Sequence, residues 1–475
     1  MALHFGPKRK EGEQQPAALG PLKLRIPFIH YGLEAPDFVQ GMILAVVPMS
    51  ITAVMTESLG IPFELGITMV IINNFMYLLH THLGDPAIAG WITPGIPLYI
   101  AFLAGFEAGE ERIQAMIALQ MLVGAIFLIM GAFKLAGKIV FRVPVSLKAG
   151  ILLGAGVAAV IGEFKDEGRV SQFPVAILLG VAVSFFMLFS KTAKPLRDRY
   201  TFFRYVAQFG IAIPFAISYV VGILIGEVGR PDIAWTLTPL MFTDVVDQFS
   251  IFAVGFPSLE LFIAAAPLAF TAYIIAFGDQ LVLYSLLKTA DEARTDEKIE
   301  FSPNRNNIIT SARNLFESVF MPYLPLAGPQ WTGGQALVVN RYIHTDRKGE
   351  DSYWGGATSL FWGMSIALLL GPLVTFFQPG VAIGLSLTLM IQGYLCAYVA
   401  MEMLENNVQR GVAGVTGAVL ATQGAAWGLA VGIAGYLLLE RPWIKEAEEI
   451  GAPHPAASPE NEPDLEPSPA TGDPS

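Results

Sequence analysis

Apolar stretches, separated by short polar, Gly-rich or Pro-rich breaks, recur from about residue 38 to residue 440. A helix needs about 20 mostly apolar residues to cross the hydrocarbon of a bilayer. The windows at 38–58, 62–83, 87–106, 113–134, 145–162, 173–190, 202–226, 258–284, 304–322, 324–342, 354–377, 379–403, 409–422 and 424–440 therefore predict about fourteen transmembrane segments. Three of these windows, 304–322, 324–342 and 409–422, are short or polar for such a role. Composition points the same way: 53% of the 475 residues are apolar and only 15% are charged, against roughly 25% charged in an ordinary soluble protein. The predicted fold class is an all-α, multi-pass membrane protein.

Outside the windows the chain is polar. Residues 1–35 carry Lys8, Arg9, Lys10, Lys23 and Arg25, and no short apolar stretch with a small-residue cleavage site marks a removable signal peptide. Residues 441–475 are rich in Pro, Glu, Ala and Ser, which predicts a disordered tail. Lys and Arg in short loops resist translocation and set orientation. With the amino terminus in the cytosol, the cytosolic loops receive Lys134, Lys138, Arg142 and Lys148, then Lys191, Lys194, Arg197, Arg199 and Arg204, then Arg341, Arg347 and Lys348. The opposite side receives Glu107, Glu110, Glu111, Glu227, Asp232, Asp244 and Asp247. An even segment count puts both termini in the cytosol, and the expected location is the inner (plasma) membrane.

Two windows interrupt the helical pattern in matching places. The third reads Gly84-Asp85-Pro86-Ala87-Ile88-Ala89-Gly90-Trp91-Ile92-Thr93-Pro94-Gly95-Ile96-Pro97, and the tenth reads Pro325-Leu326-Ala327-Gly328-Pro329-Gln330-Trp331-Thr332-Gly333-Gly334-Gln335. Extended backbone at membrane depth is tolerated only where protein covers it or a cavity runs beside it, so the two breaks predict paired half-helices meeting near the midplane. A second correspondence joins the first window, Pro48-Met49-Ser50-Ile51-Thr52-Ala53, to the eighth, Pro267-Leu268-Ala269-Phe270-Thr271-Ala272. Pro48 and Pro267 lie 219 residues apart, and Trp91 and Trp331 lie 240 apart. The chain thus reads as seven plus seven segments, in 36–227 and 258–440, joined by an extracytoplasmic loop at 228–257. Because seven is odd, the second copy enters the membrane from the opposite side, which makes an inverted repeat.

With the Pro-initiated eighth segment ending in Phe277-Gly278-Asp279, this layout resembles the superfamily of uracil permeases, nucleobase/ascorbate transporters and SulP anion transporters. The resemblance covers about residues 35–440 in architecture and rests on loose motifs. It implies a core built from segments 1–4 and 8–11, a gate built from the rest, and an elevator-like or rocking motion between them. Homodimerisation through the gate is common in the resembling families. The nucleobase branch carries a substrate-binding Glu three residues before a Gly-Asp or Gly-His pair, and that position is Ile275 here. The STAS domain usual in the SulP branch is missing from the sequence. The chain reads as a divergent member.

Helices that begin near the midplane direct unpaired N–H groups and the positive ends of their dipoles at the gap between them, which suits an anion or a polar heterocycle. The candidate donors are Gly95 and Ile96 on one side and Gly333, Gly334 and Gln335 on the other. The candidate walls are Ser50 and Thr52 with Thr56, Trp91 and Thr93, Thr271 and Tyr273, and Gln330, Trp331 and Thr332. Ionisable residues inside spans are functional candidates by default, and Asp279 and Glu317 are the two for ion coupling. Arg313, four residues before Glu317, is placed to neutralise it.

The net charge of -11 gives no general attraction to nucleic acid, and the single cysteine, Cys396, excludes an intrachain disulfide. His80 and His82 diverge at i,i+2 on a helix, so no metal site is expected, and no cofactor is. No protease motif is present, so no enzyme is expected. The reading is a secondary transporter for an inorganic oxyanion or carboxylate, coupled to H+ or Na+. A nucleobase permease and an anion channel are the alternatives. Its partners are the substrate, the lipid bilayer and a second copy of the chain.

Overall fold

The computed structural model describes residues 4–6, 16–135, 142–200 and 210–440. The expected disordered tail, together with Lys8, Arg9, Lys10, Lys138 and Arg204, lies outside the described residues.

Each of the fourteen apolar windows contains a helix. They are α1 (Ala35–Leu59, in three pieces around Pro48), α2 (Phe63–His82), α3 (Ile96–Leu103), α4 (Glu110–Ala132), α5 (Val145–Phe164), α6 (Pro174–Phe189) and α7 (Ala212–Ile225) in the first half. The second half holds α8 (Leu259–Ala293), α9 (Pro303–Phe320), α10 (Thr332–His344), α11 (Tyr353–Leu369), α12 (Val381–Glu402), α13 (Asn407–Gln423) and α14 (Ala425–Gly435). Among the described residues six helical stretches are long and apolar enough by themselves to cross a membrane; the shorter or more polar helices are carried by packing against their neighbours. Exposed Phe133, Leu224, Phe252 and Leu259 line the outside of the bundle, where lipid is the solvent.

The packing follows the inverted repeat. Helix α1 packs on α11 as α8 packs on α4, α2 on α11 as α9 on α4, and α6 on α7 as α13 on α14. The α5–α12 pair maps onto itself. Most of these contacts fall within two groups, α1–α4 with α8–α11 and α5–α7 with α12–α14. Along the α5–α13 seam a Cβ on Gly154 would stand 2.8 Å from the Gly417 carbonyl oxygen and one on Gly150 would stand 2.7 Å from Thr416 Cβ, so glycine sets the closeness of these helices. Gly411 and Gly414, which look alike in the sequence, face open space.

Before α1 the chain is not featureless. A hairpin pairs Ala17–Leu19 with Leu22–Leu24, and its return strand bonds the end of α2 through Lys23 N–H to Leu83 O and Arg25 N–H to His82 O. Lys23 also pairs with Glu300 in the loop between α8 and α9.

Candidate functional site

The two interrupted segments meet. Strand β1 (Gly90–Trp91) precedes α3, strand β2 (Ala327–Gly328) precedes α10, and the two pair antiparallel with Gly90 opposite Gly328 and Trp91 opposite Ala327. Ile92 N–H donates to Leu326 O at 3.2 Å and Trp331 N–H to Ile88 O at 2.6 Å, which extends the ladder on both sides. Glycine is required at the crossing: a Cβ on Gly328 would lie 2.5 Å from the Trp91 carbonyl carbon, and one on Gly90 would lie 2.9 Å from the Gln330 carbonyl oxygen.

Two-residue strands leave backbone groups unpaired, and each one buried without a partner costs several kcal/mol. Helix α9 supplies the partners. Asn314 donates Nδ2 to Ala327 O at 2.8 Å and accepts from Ala327 N–H at 2.9 Å, acting as a third strand edge. Asn306 Nδ2 donates to Pro329 O and to Asp85 Oδ2. Gln335 accepts from Ile88 N–H at 2.7 Å and donates to Tyr353 OH, which in turn donates to Pro86 O. The polarity that makes the 304–322 window a poor free-standing span is what covers the broken backbone.

In front of the crossing lies a cavity of about 680 Å³, lined by Trp91, Thr93 and Pro94 from the α3 side and by Gln330, Trp331, Thr332 and Gly333 from the α10 side. Ile275, Gly278 and Asp279 of α8 complete the same wall, with Thr388, Gln392 and Cys396 of α12 and Lys148 of α5 across from it. The two halves differ in their amides. At α10 the N–H groups of Thr332, Gly333 and Gly334 have no acceptor among the described residues, because the first intrahelical bond of the start is Gln335 N–H to Trp331 O. At α3 a 3-10 turn over Thr93–Gly95 uses Gly95 N–H on Ile92 O and Ile96 N–H on Thr93 O, and Pro94 and Pro97 have no N–H. The expectation that Gly95 and Ile96 present free amides is therefore corrected; proline tightened the turn and absorbed them.

The remaining candidates divide by location. Trp91, Thr93, Gln330, Trp331, Thr332, Gly333 and Asp279 come together at the cavity. Asp279 has no hydrogen-bond or ion-pair partner among the described residues, and it shares the lining only with Lys148 as a charged side chain. Ser50 and Thr52 are fully buried and turn their hydroxyls onto Val47 O and Met49 O beside the Pro48 break in α1. Thr271 likewise donates to Pro267 O, and Tyr273 OH accepts from Asn307 Nδ2. Gly334 packs against the Trp331 ring, and Gln335 is the clamp already described. Glu317 accepts from Gln120 Nε2 at 2.8 Å, away from the cavity, and forms no ion pair with Arg313. The sequence reading missed Lys148, which it took for a loop charge, and Thr388 and Gln392. An amide inside the apolar run of α12 was the available signal for Gln392.

Four of the lining residues stand at helix ends. Lys148 sits in the first turn of α5, Phe189 ends α6, Ile211 precedes α7 and Met403 follows α12, and the topology puts all four on the face where α1 begins and α14 ends. At the opposite face Arg169, between α5 and α6, pairs with Glu163 of α5 and reaches Glu57 of α1 at 2.8 Å.

No protein-family model and no curated protein matches the sequence. Solved structures do match. The murine Slc26a9 anion transporter in the inward-facing state aligns with a TM-score of 0.52 at 13% identity, over 86% of this chain and 68% of that one. A second SLC26A9 structure gives 0.53 at 14% identity, over 86% of this chain and 65% of that one. The chain has the fold of these anion transporters. It spans about two thirds of their length. The transmembrane domain of the cyanobacterium bicarbonate transporter BicA aligns over 84% of this chain and 96% of that domain at 15% identity, with a TM-score of 0.49.

Proposed function

We propose that the chain is a secondary active transporter that carries a small anion, an inorganic oxyanion or a carboxylate, across the inner (plasma) membrane by alternating access. The observation that carries this reading is the start of α10, where the unbonded N–H groups of Thr332 and Gly333 stand at the wall of a cavity that, among the described residues, no acidic side chain other than Asp279 lines. Backbone amides at a helix start, reinforced by the helix dipole, bind anions. Thr332 and Gly333 hold the anion, Trp91, Thr93, Gln330 and Trp331 shape its pocket, and Gly95, Gly334, Gln335, Ser50, Thr52, Thr271 and Tyr273 form the layer that fixes that pocket. Ile275 at the cavity supports the anion over a nucleobase, since it offers no acceptor to a base N–H. Two tryptophans beside the same site are the feature that favours the nucleobase alternative, because an indole stacks on a planar ligand.

Asp279 carries the coupled H+ or Na+ in this reading, with Glu317 as the second candidate. The cavity opens toward the Lys- and Arg-rich cytosolic face, and the Glu57–Arg169–Glu163 pairs close the other. Transport requires the reverse arrangement in turn.

Counterflow in proteoliposomes tests the proposal. Labelled bicarbonate, sulfate or formate should enter saturably and faster when the same anion is loaded on the far side, and Asp279→Asn should abolish the response to a proton or sodium gradient. Conductance without trans-stimulation would make the protein a channel, and uptake of xanthine or uracil alone would make it a nucleobase permease.

A further inference from the structure

Behind the strand pair, on the side away from the cavity, lies a guanidinium with no anion against it. Arg313 on α9 is fully buried. Its Nη1 donates to Gly328 O at 3.2 Å, and its Nη2 donates to Gly90 O at 3.3 Å and to Asn73 Oδ1 at 2.9 Å. His80 Nε2 lies 3.4 Å from Nη1, and the Tyr77 ring lies 4.6 Å from the guanidinium carbon. Every one of these groups is neutral, because His80 turns its Nδ1–H to Asp85 Oδ2 and keeps Nε2 as an acceptor.

The acids nearby are committed elsewhere. Asp85 takes His80 and Asn306, and Glu317 takes Gln120. Arg313 forms no ion pair among the described residues. Burying a cation without a carboxylate against it is costly, so retaining one implies a use for its charge. Gly90 and Tyr77, which touch the guanidinium, also line the cavity, whereas Asp85, Gln120 and Glu317 do not. The positive charge therefore stands one residue layer behind the wall, at the point where the two halves cross; Asp85 and Glu317 do not reach the lining, where Asp279 and Lys148 are the charged side chains.

We propose that Arg313 is the fixed positive charge that makes this cavity select anions, a positioning residue that acts across the β1–β2 wall rather than by touching the transported ion. Its fork also holds Gly90 O and Gly328 O together, so the two strands move as one piece. Lysine keeps the charge and loses the fork. The inference rests on the anion reading above, and uptake by the unaltered chain separates the two.

The experiment measures initial rates of labelled bicarbonate, sulfate and formate uptake into proteoliposomes by the full chain. Saturable uptake by the unaltered chain leaves Arg313 as the only question, whereas none with any of the three removes the anion reading and this inference with it. Arg313→Met should raise KM at least about tenfold, while Arg313→Lys should hold KM within about twofold and lower the maximal rate. Arg313→Gln, which keeps a donor for the Gly328 and Gly90 carbonyls and removes the charge, should raise KM as Arg313→Met does. An unchanged KM in Arg313→Met, or Arg313→Lys as impaired in KM as Arg313→Met, overturns the proposal. Should Arg313→Met fail to fold, Arg313→Gln decides: an unchanged KM overturns it.

Discussion

The α3 half and the α10 half of the crossing are built on one plan and do different work. Both have a two-residue strand, a Trp, a Thr and a helix that starts beside the cavity. The α3 start contains Pro94 and Pro97, is buried from Pro94 to Tyr99, and uses the Gly95 and Ile96 amides inside a 3-10 turn. The α10 start contains Gly333 and Gly334, stands open at the cavity at Thr332 and Gly333, and leaves the amides of those two residues unbonded there. A duplicated scaffold has become a strut on one side and a receptor on the other, and two prolines against two glycines make most of the difference.

Variants that attack the shared crossing should have the largest effects. Gly328→Val places side-chain atoms where the Trp91 backbone lies and should cost more than about 4 kcal/mol. It is read as loss of monodisperse protein in detergent. Asn314→Leu strips the bonds from Ala327 N–H and C=O, and two buried groups left unmet should cost about 3 kcal/mol, measured by thermal unfolding.

The next pair separates the halves. Thr332 is the first residue of α10, and Trp331 before it is extended at φ -114, ψ 102, so proline fits there and deletes one amide without breaking the helix. Thr332→Pro should weaken anion binding about tenfold, which is about 1.4 kcal/mol, with unfolding temperature nearly unchanged; Thr332→Val controls for the hydroxyl. Pro94→Ala on the α3 half should change the same affinity by less than about twofold. Equal effects from the two would erase the distinction drawn between the halves.

The smallest effect concerns how the α3 side is anchored. The hydrogen bond from Lys23 holds the Glu300 carboxyl below its ordinary value of 4.5. A lowered folded value means the contribution is present above pH 4.5 and is lost as pH falls below it. Both side chains are more than a third exposed, so Lys23→Ala should cost no more than about 0.5 kcal/mol, and the difference from the unaltered chain should vanish in acid.

Much of the fold could be read from the residues because hydropathy and Gly/Pro punctuation are local signals. Fourteen windows and two interruptions gave the segment count and the crossing. The fit of α9 was obscured for a physical reason: Arg305, Asn306, Asn307, Arg313, Asn314 and Glu317 lower its hydropathy, and the partners of Asn306, Arg313 and Glu317 include groups in segments remote in sequence. The site was less legible. Whether a hydroxyl faces a ligand or its own helix depends on the rotation of that helix, and Ser50, Thr52 and Thr271 all turn back onto carbonyls three or four residues earlier in their own helices. Lys148 looked like a loop charge because it lies in the first turn of α5, while the cavity reaches down to that turn.

The central claim is that the anion rests on the amides of α10 and not on those of α3. Crystals of the protein grown with bromide in place of chloride, measured at the bromine edge, address it directly. The account predicts an anomalous peak within hydrogen-bonding distance of the Thr332 and Gly333 amide nitrogens. A peak at the Thr93–Ile96 turn instead, or none anywhere in the cavity, would contradict it.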